Sequence, residues 1–179
     1  MNSSAPNDDW QKALIQSYPR LFGDGGYPEV GRGWCDTLER LLARLDTVVA
    51  FEGAGAWIQI VQIKEKFGTL RVYFHHSEGF SAAGLAVASE MSALAEARSA
   101  CTCEECGAIG RLHSRGGWMA TRCEEHADGD PIPIAAGWKG LRVTTSLRDG
   151  LLVTSCRRYD RDIDDFEDAP LPPDFENGE

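Results

Sequence analysis

The sequence predicts an α+β fold: a small antiparallel sheet, two or three helices packed on it, and an attached cysteine-rich lobe. Three observations carry this expectation. Residues 34–45 put Trp34, Leu38, Leu41, Leu42 and Leu45 on one face of a helix, with Asp36, Glu39, Arg40 and Arg44 elsewhere. Residues 57–63 and 69–75 read as strands joined by Lys64-Glu65-Lys66-Phe67-Gly68, so an antiparallel hairpin is the simplest arrangement. Finally, two close pairs of soft ligands, Cys103-x-x-Cys106 and Cys123-x-x-His126, stand sixteen residues apart.

The chain of 179 residues suits one domain, or one domain with a small lobe, and its 42% hydrophobic content supplies a core. It has no run of about eighteen apolar residues, so no membrane span is expected. Met1-Asn2-Ser3-Ser4-Ala5-Pro6 lacks a basic region followed by an apolar one, so no secretory signal is expected. Six cysteines, three of them in the ligand pairs, point to a reducing cytoplasm rather than a disulfide framework. Cys35 and Cys156 read as buried thiols.

The net charge of −10 is unevenly spread: residues 159–179 hold nine acids against Arg161 alone, a local charge of −8. The rest of the chain is nearly neutral, so global charge neither identifies nor excludes a nucleic-acid surface.

In chain order, residues 1–8 are expected as a disordered lead. Asp9 can cap a helix in which Trp10, Leu14 and Tyr18 recur every four residues, and Pro19 ends it. The loop from Gly23 to Pro28 lacks both the Lys-Ser/Thr of a phosphate loop and the spacing of a dinucleotide fingerprint, which argues against phosphate cradling. After the 34–45 helix, residues 48–51 are expected as a short strand, broken by Gly53-Ala54-Gly55. In the hairpin, Leu70, Val72 and Phe74 alternate with Arg71 and Tyr73. Lys64, Lys66 and Arg71 there form either a basic interaction patch or a solvated turn and strand face. Ser81 can cap a helix running to about Ser99, with Val87, Met91 and Leu94 as its buried stripe. That helix completes an α+β body over 9–100 and delivers the chain to the cysteine-rich lobe at 101–127. Residues 128–158 form a C-terminal extension. Its strands at 142–148 and 151–156 flank Asp149-Gly150, a pair that favours a type I′ turn. Residues 159–179 are expected as an acidic, disordered tail separable from the fold.

Cys103, Cys106, Cys123 and His126 make a tetrahedral Cys₃His set that suits Zn²⁺. Gly107 can take the positive φ that a cysteine knuckle needs, and short strands at 109–113 and 118–121 complete a zinc-ribbon pattern. All four positions are filled by protein, whereas a catalytic zinc keeps one open, so a structural zinc is expected. Cys101 stands as an alternative to Cys103. His113 is a spare ligand or a residue of the ribbon surface.

Several segments occur together in order: Tyr18-Pro19-Arg20-Leu21-Phe22, Gly33-Trp34, Val61-Gln62-Ile63-Lys64-Glu65-Lys66-Phe67-Gly68-Thr69-Leu70-Arg71, Cys103-x-x-Cys106-Gly107, Gly117-Trp118 and Cys123-Glu124-Glu125-His126. On these the chain resembles a family of small uncharacterised zinc-ribbon proteins found in bacteria and their phages. The resemblance spans roughly residues 10–127, with Thr69 where a second glycine is expected. It implies the ligand set and the layout, and no activity.

Two functions follow. The first is a non-catalytic protein-interaction module, of the antagonist or immunity type. It would meet a basic partner protein through Asp160, Asp162, Asp164, Asp165 and Phe166. The second is a nucleic-acid-binding ribbon using Arg111, Arg115, Arg122 and Trp118. Against the second, residues 103–158 hold eight bases and seven acids, far from a basic stripe. No serine elbow, paired-carboxylate motif or phosphate loop points to an enzyme. Asp160-x-Asp162-x-Asp164 lacks the turn glycine and closing glutamate of a calcium loop.

Overall fold

The computed structural model describes residues 8–23, 26–172 and 175, and the chain forms two compact units, Met1–Ile132 and Pro133–Glu179. The fold class is α+β, with small sheets and no barrel among the described residues.

In the first unit, helices α1 (Asp8–Ser17), α2 (Cys35–Glu52) and α3 (Ala82–Ser99) accompany a sheet of β1 (Pro28–Glu29), β2 (Ile58–Lys66) and β3 (Thr69–His76). β2 is central, parallel to β1 and antiparallel to β3. The predicted stripe of α2 is buried in full: Trp34, Leu38, Leu41, Leu42 and Leu45 meet Ile58, Ile60, Ile63 and Leu70 from one face of the hairpin. Trp10 and Leu14 of α1 close the same core.

Three expectations for this unit change. Residues 48–51, expected as a strand, are the last turn of α2. Val49 continues the buried spacing set by Leu38, Leu42 and Leu45, so tertiary packing overrides the β preference of valine. Gly53, at φ +89°, then ends the helix. The hairpin turn is only Phe67-Gly68, both at positive φ (54° and 76°), and Lys64–Lys66 belong to β2. Thr69 is thereby a strand residue paired with Lys66, and needs no glycine. On α3 the buried face is Gly84, Ala88, Leu94, Ala95 and Ser99, while Val87 is 45% exposed. Small residues face the body there because the helix backbone lies close to it.

Ser81 caps α3 as expected, its Oγ accepting from Gly84 N at 2.9 Å. The end of α2 reinforces the cap: the Glu52 carboxylate accepts from Ser81 N at 2.8 Å and Ser81 Oγ at 2.6 Å. These bonds hold the Glu52 carboxyl below the usual range. The sign follows. Glu52 contributes stability above the ordinary glutamate pKa and loses it as pH falls through the lowered value. Glu52→Gln should therefore flatten the acid end of the pH–stability curve, read by thermal melts; an unchanged curve would contradict the cap.

The first unit ends in a second sheet: β4 (Arg111–Arg115), β5 (Trp118–Arg122) and β6 (Asp130–Pro131), ordered β5-β4-β6.

The second unit is a sheet of β7 (Leu141–Arg148), β8 (Leu151–Asp160) and β9 (Asp165–Asp168), ordered β7-β8-β9. Asp149 and Gly150, at φ 50° and 79°, form the predicted tight turn. Residues 159–168, expected in a disordered tail, are folded. Tyr159 is buried, its hydroxyl donates to Asp164 Oδ1 at 2.7 Å, and its ring meets Phe166 edge-on at 5.8 Å. The guanidinium groups of Arg157 and Arg142 lie 4.9 and 5.6 Å from the Phe166 ring centre. Ion–ring attraction and strand pairing supply what the acidic composition hides. Residues 1–7 of the expected lead, and 173, 174 and 176–179 of the expected tail, lie outside the described residues; Asp8 is helical.

Candidate metal centre

The first cysteine pair sits in a turn directly after α3. Gly107, at φ +80°, donates its N–H to Cys103 O at 2.8 Å, and Cys103 N donates to Ala108 O at 2.8 Å, folding the backbone so that both thiols point the same way. The second pair follows β5, where His126 N donates to Cys123 O at 3.2 Å. The β4–β5 hairpin brings the two turns together, and Glu104 N donates to Thr121 O at 3.2 Å.

One ligand atom from each of Cys103, Cys106, Cys123 and His126 falls in a cluster no more than 4.8 Å across. Cys106 Sγ is 3.7 Å from Cys123 Sγ, and His126 Nδ1 is 3.8 Å from Cys103 Sγ and 3.2 Å from Cys123 Sγ. A tetrahedral ion with sulfur bonds of about 2.3 Å and nitrogen bonds of about 2.0–2.1 Å has edges of about 3.8 Å between sulfurs and about 3.6 Å from sulfur to nitrogen. The residues therefore fit a four-coordinate metal ion, with Nδ1 as the histidine donor. Cys103 and Cys123 are buried, while Cys106 is exposed.

The thiols already share charge. Burial pushes the Cys123 thiol up, but hydrogen bonds from the His126 side chain and backbone and from Cys106 and Cys103 outweigh it and bring it down to about 6. At Cys106 the Ala108 backbone stabilises the thiolate, but partial desolvation by its surroundings and the neighbouring Cys103 and Cys123 thiols leave it raised. A cation relieves this competition by holding all three as thiolates. Because protons compete with the ion for the same thiolates, a loaded ion should be held at neutral pH and released on acidification. A metal-indicator dye followed during acidification checks this; release at neutral pH would contradict it.

The two alternatives left by spacing are resolved. Cys101 lies outside the cluster and donates back to Arg98 O at 3.2 Å, as a residue of the helix end. His113 is neither a ligand nor on the surface: it is 3% exposed, between Ala120 and Pro131 on the neighbouring strands, with Nδ1 3.0 Å from Arg111 O.

The centre is built into the body. Gly33 N donates to Glu104 O at 2.7 Å, the Trp34 indole donates to Thr102 O at 2.8 Å, and Gly31 N donates to the Glu104 carboxylate at 3.0 Å. From the other side, Thr121 Oγ1 donates to Gly68 O at 2.7 Å, and Leu70 N donates to Ser99 Oγ at 2.8 Å. Gly33-Trp34, Phe67-Gly68 and the cysteine pairs, separate in sequence, thus meet around one cluster. Sequence reasoning singled out these glycines without a role. Their role is close backbone approach.

The predicted contact residues divide. Arg71 pairs with Glu96 at 2.6 Å, Arg115 with Asp128, and Arg122 with Glu104 at 3.0 Å and Glu105 at 3.1 Å. Arg111 is exposed opposite Arg122 at the end of β4. Lys64 and Lys66 lie on the outer face of β2, each 5.3 Å from a ring centre, Tyr73 and Phe67 respectively. Trp118, 77% exposed, lines a cleft of about 350 Å³ with Glu65, Lys66, Phe67, Gly117 and Met119. Phe67 and Met119 were missed because a turn phenylalanine gives no sign of facing solvent. In the second unit, Asp164 is buried and Phe166 is held by arginines, so neither is free for a partner, while Asp162 and Asp165 are exposed and Asp160 accepts from Asp162 N at 2.7 Å.

Comparison with known protein families, with curated proteins and with solved structures finds no match to this chain. No helix among the described residues is long and apolar enough to cross a membrane. What the centre and its setting define is an α+β protein with a Cys₃His group able to hold a metal ion.

Proposed function

We propose that the chain is a zinc-stapled, non-catalytic protein-interaction module of a reducing cytoplasm, which meets an acidic, apolar-tipped surface of a partner protein through the cleft between Phe67 and Trp118. Zinc is the metal that best suits three thiolates and an imidazole at tetrahedral spacing, and a reducing compartment keeps those thiols available. The same reading keeps the chain with the small zinc-ribbon proteins it resembles.

The observation that carries the reading is the pair of aromatic side chains on two hairpin tips. Phe67 is 64% exposed and Trp118 is 77% exposed, across one apolar cleft. Phe67 occupies left-handed backbone at φ +54°, unusual for a side chain of this size. The Thr121–Gly68 bond fixes its turn against β5. Rigid exposed aromatics of this kind dominate protein interfaces. Among the described residues neither Lys64 nor Lys66 pairs with a carboxylate, so the rim offers positive charge to an acidic partner. The neutralised state of Arg71, Arg115 and Arg122 weighs against a nucleic-acid surface, which needs free cations along a track.

Phe67→Ser and Trp118→Ala should each weaken capture of the partner by about 30-fold, the equivalent of ~2 kcal/mol for an interface hot spot. Metal content should be unchanged. Capture that survives both changes would overturn the reading, as would binding of mixed nucleic acid with a steep salt dependence.

A further inference from the structure

Among the described residues, the second unit carries a strand edge with no neighbouring strand, which the proposed function does not use. Beyond its base, the β7–β8 hairpin is exposed on both faces. Leu147, Leu151 and Leu152 are 70–76% exposed, and residues 151–155 are all exposed. Two strands with both faces in water are marginally stable alone. β7 is an edge strand, and its run Val143-Thr144-Thr145-Ser146-Leu147 has no charge and no proline. Its register with β8 is unbroken. Edge strands usually carry such features to prevent pairing.

We propose that β7 pairs antiparallel with β7 of a second copy about a two-fold axis at Thr144, joining two three-stranded sheets into one. Two observations show which edge of β7 is open, and a third, its self-complementary register, selects the partner. First, Arg148 and Leu151 close a two-residue turn, so they form a hydrogen-bonded pair. Alternation then directs the N–H and C=O groups of Val143, Thr145 and Leu147 away from β8. The same alternation turns Cys156 O away from β7, where it accepts from Ala169 N at 3.0 Å. Second, that Ala169 bond places chain along the far side of β8, and leaves β7 as the open edge at the level of Val143, opposite Cys156. Third, an axis at Thr144 sets Val143 opposite Thr145 of the second copy, Leu147 opposite its Leu141, and Arg142 opposite its Ser146. An axis at Thr145 would set Arg142 against Arg148. The favoured register thus has no facing like charges and closes as a symmetric dimer.

Light scattering coupled to size exclusion should give twice the chain mass for the full-length, metal-loaded protein. Thr145→Pro removes an outward N–H without touching the β7–β8 ladder, and should halve that mass with metal content and circular dichroism retained. At the axis, two Thr144 Cα atoms would lie about 4.5 Å apart, a spacing a disulfide can bridge. Thr144→Cys should therefore cross-link on mild oxidation. Ser146→Cys should not, because its symmetry mate is offset by four residues, about 13 Å along the strand. A monomeric parent protein, a dimer that survives Thr145→Pro, or a Thr144→Cys variant that cross-links no better than Ser146→Cys would each overturn the proposal.

Discussion

Cys106→Ser should lower the melting temperature far more than Cys35→Ser or Cys156→Ser. Each replaces a sulfur by an oxygen of similar shape, and Cys106 is the most exposed of the three, so lost packing alone would make it the mildest change. Only Cys106 belongs to the four-residue cluster. A structural zinc contributes folding energy on the order of 10 kcal/mol in small zinc-binding peptides, and three ligands retain only part of it. The loss should reach beyond the cysteine-rich lobe, because its first turn accepts from Gly33 N at Glu104 O and from the Trp34 indole at Thr102 O. Chelator treatment of the parent protein should reproduce the effect. Thermal melts followed by circular dichroism decide the matter: equal losses in all three variants would show that Cys106 has no special place.

Gly33→Ala should be the most damaging single-methyl change in the first unit. A Cβ there would stand 2.2 Å from Cys103 O, 2.5 Å from Gly107 N and 2.6 Å from Glu104 O. All three are backbone atoms of the first cysteine turn, so no side-chain rotation can make room. The junction must open, at a cost of about 3 kcal/mol or more by comparison with overpacked cores. Metal affinity should fall with it, since the same atoms set the thiol directions. Gly79→Ala is the control: nothing lies within 4 Å of its added Cβ and its φ is not positive. If both changes cost the same, the knuckle is not seated on Gly33.

The residues that were legible in sequence are those whose role is set by their neighbours along the chain. The leucine stripe of α2, the alternation in β3, the Ser81 cap and the Asp149-Gly150 turn each depend on a few adjacent positions. The ligand pairs belong to the same kind, since Cys-x-x-Cys and Cys-x-x-His are local turns. What was not legible depends on distant contacts. Val48 and Val49 prefer strands, but the body offers their stretch a helical slot. The buried face of α3 is chosen by small size, which apolar periodicity does not measure. His113 is buried by β5 and β6, which no local pattern foretells. The acidic segment misled most, because its charge suggested disorder while Tyr159, Phe166, Arg142 and Arg157 supplied a fold. Gly33 and Gly68 stood out without a purpose until their chain partners, Cys103 and Leu112, were brought beside them.

One zinc ion is expected to join Cys103, Cys106, Cys123 and His126 and to lock the cysteine-rich lobe onto the body. X-ray absorption at the zinc edge, on protein purified without chelator and quantified by elemental analysis, tests it most directly. One zinc per chain is expected, with three sulfurs at about 2.3 Å and one nitrogen at about 2.0–2.1 Å. Protein that is folded and free of zinc, or zinc surrounded mainly by oxygen, would contradict it.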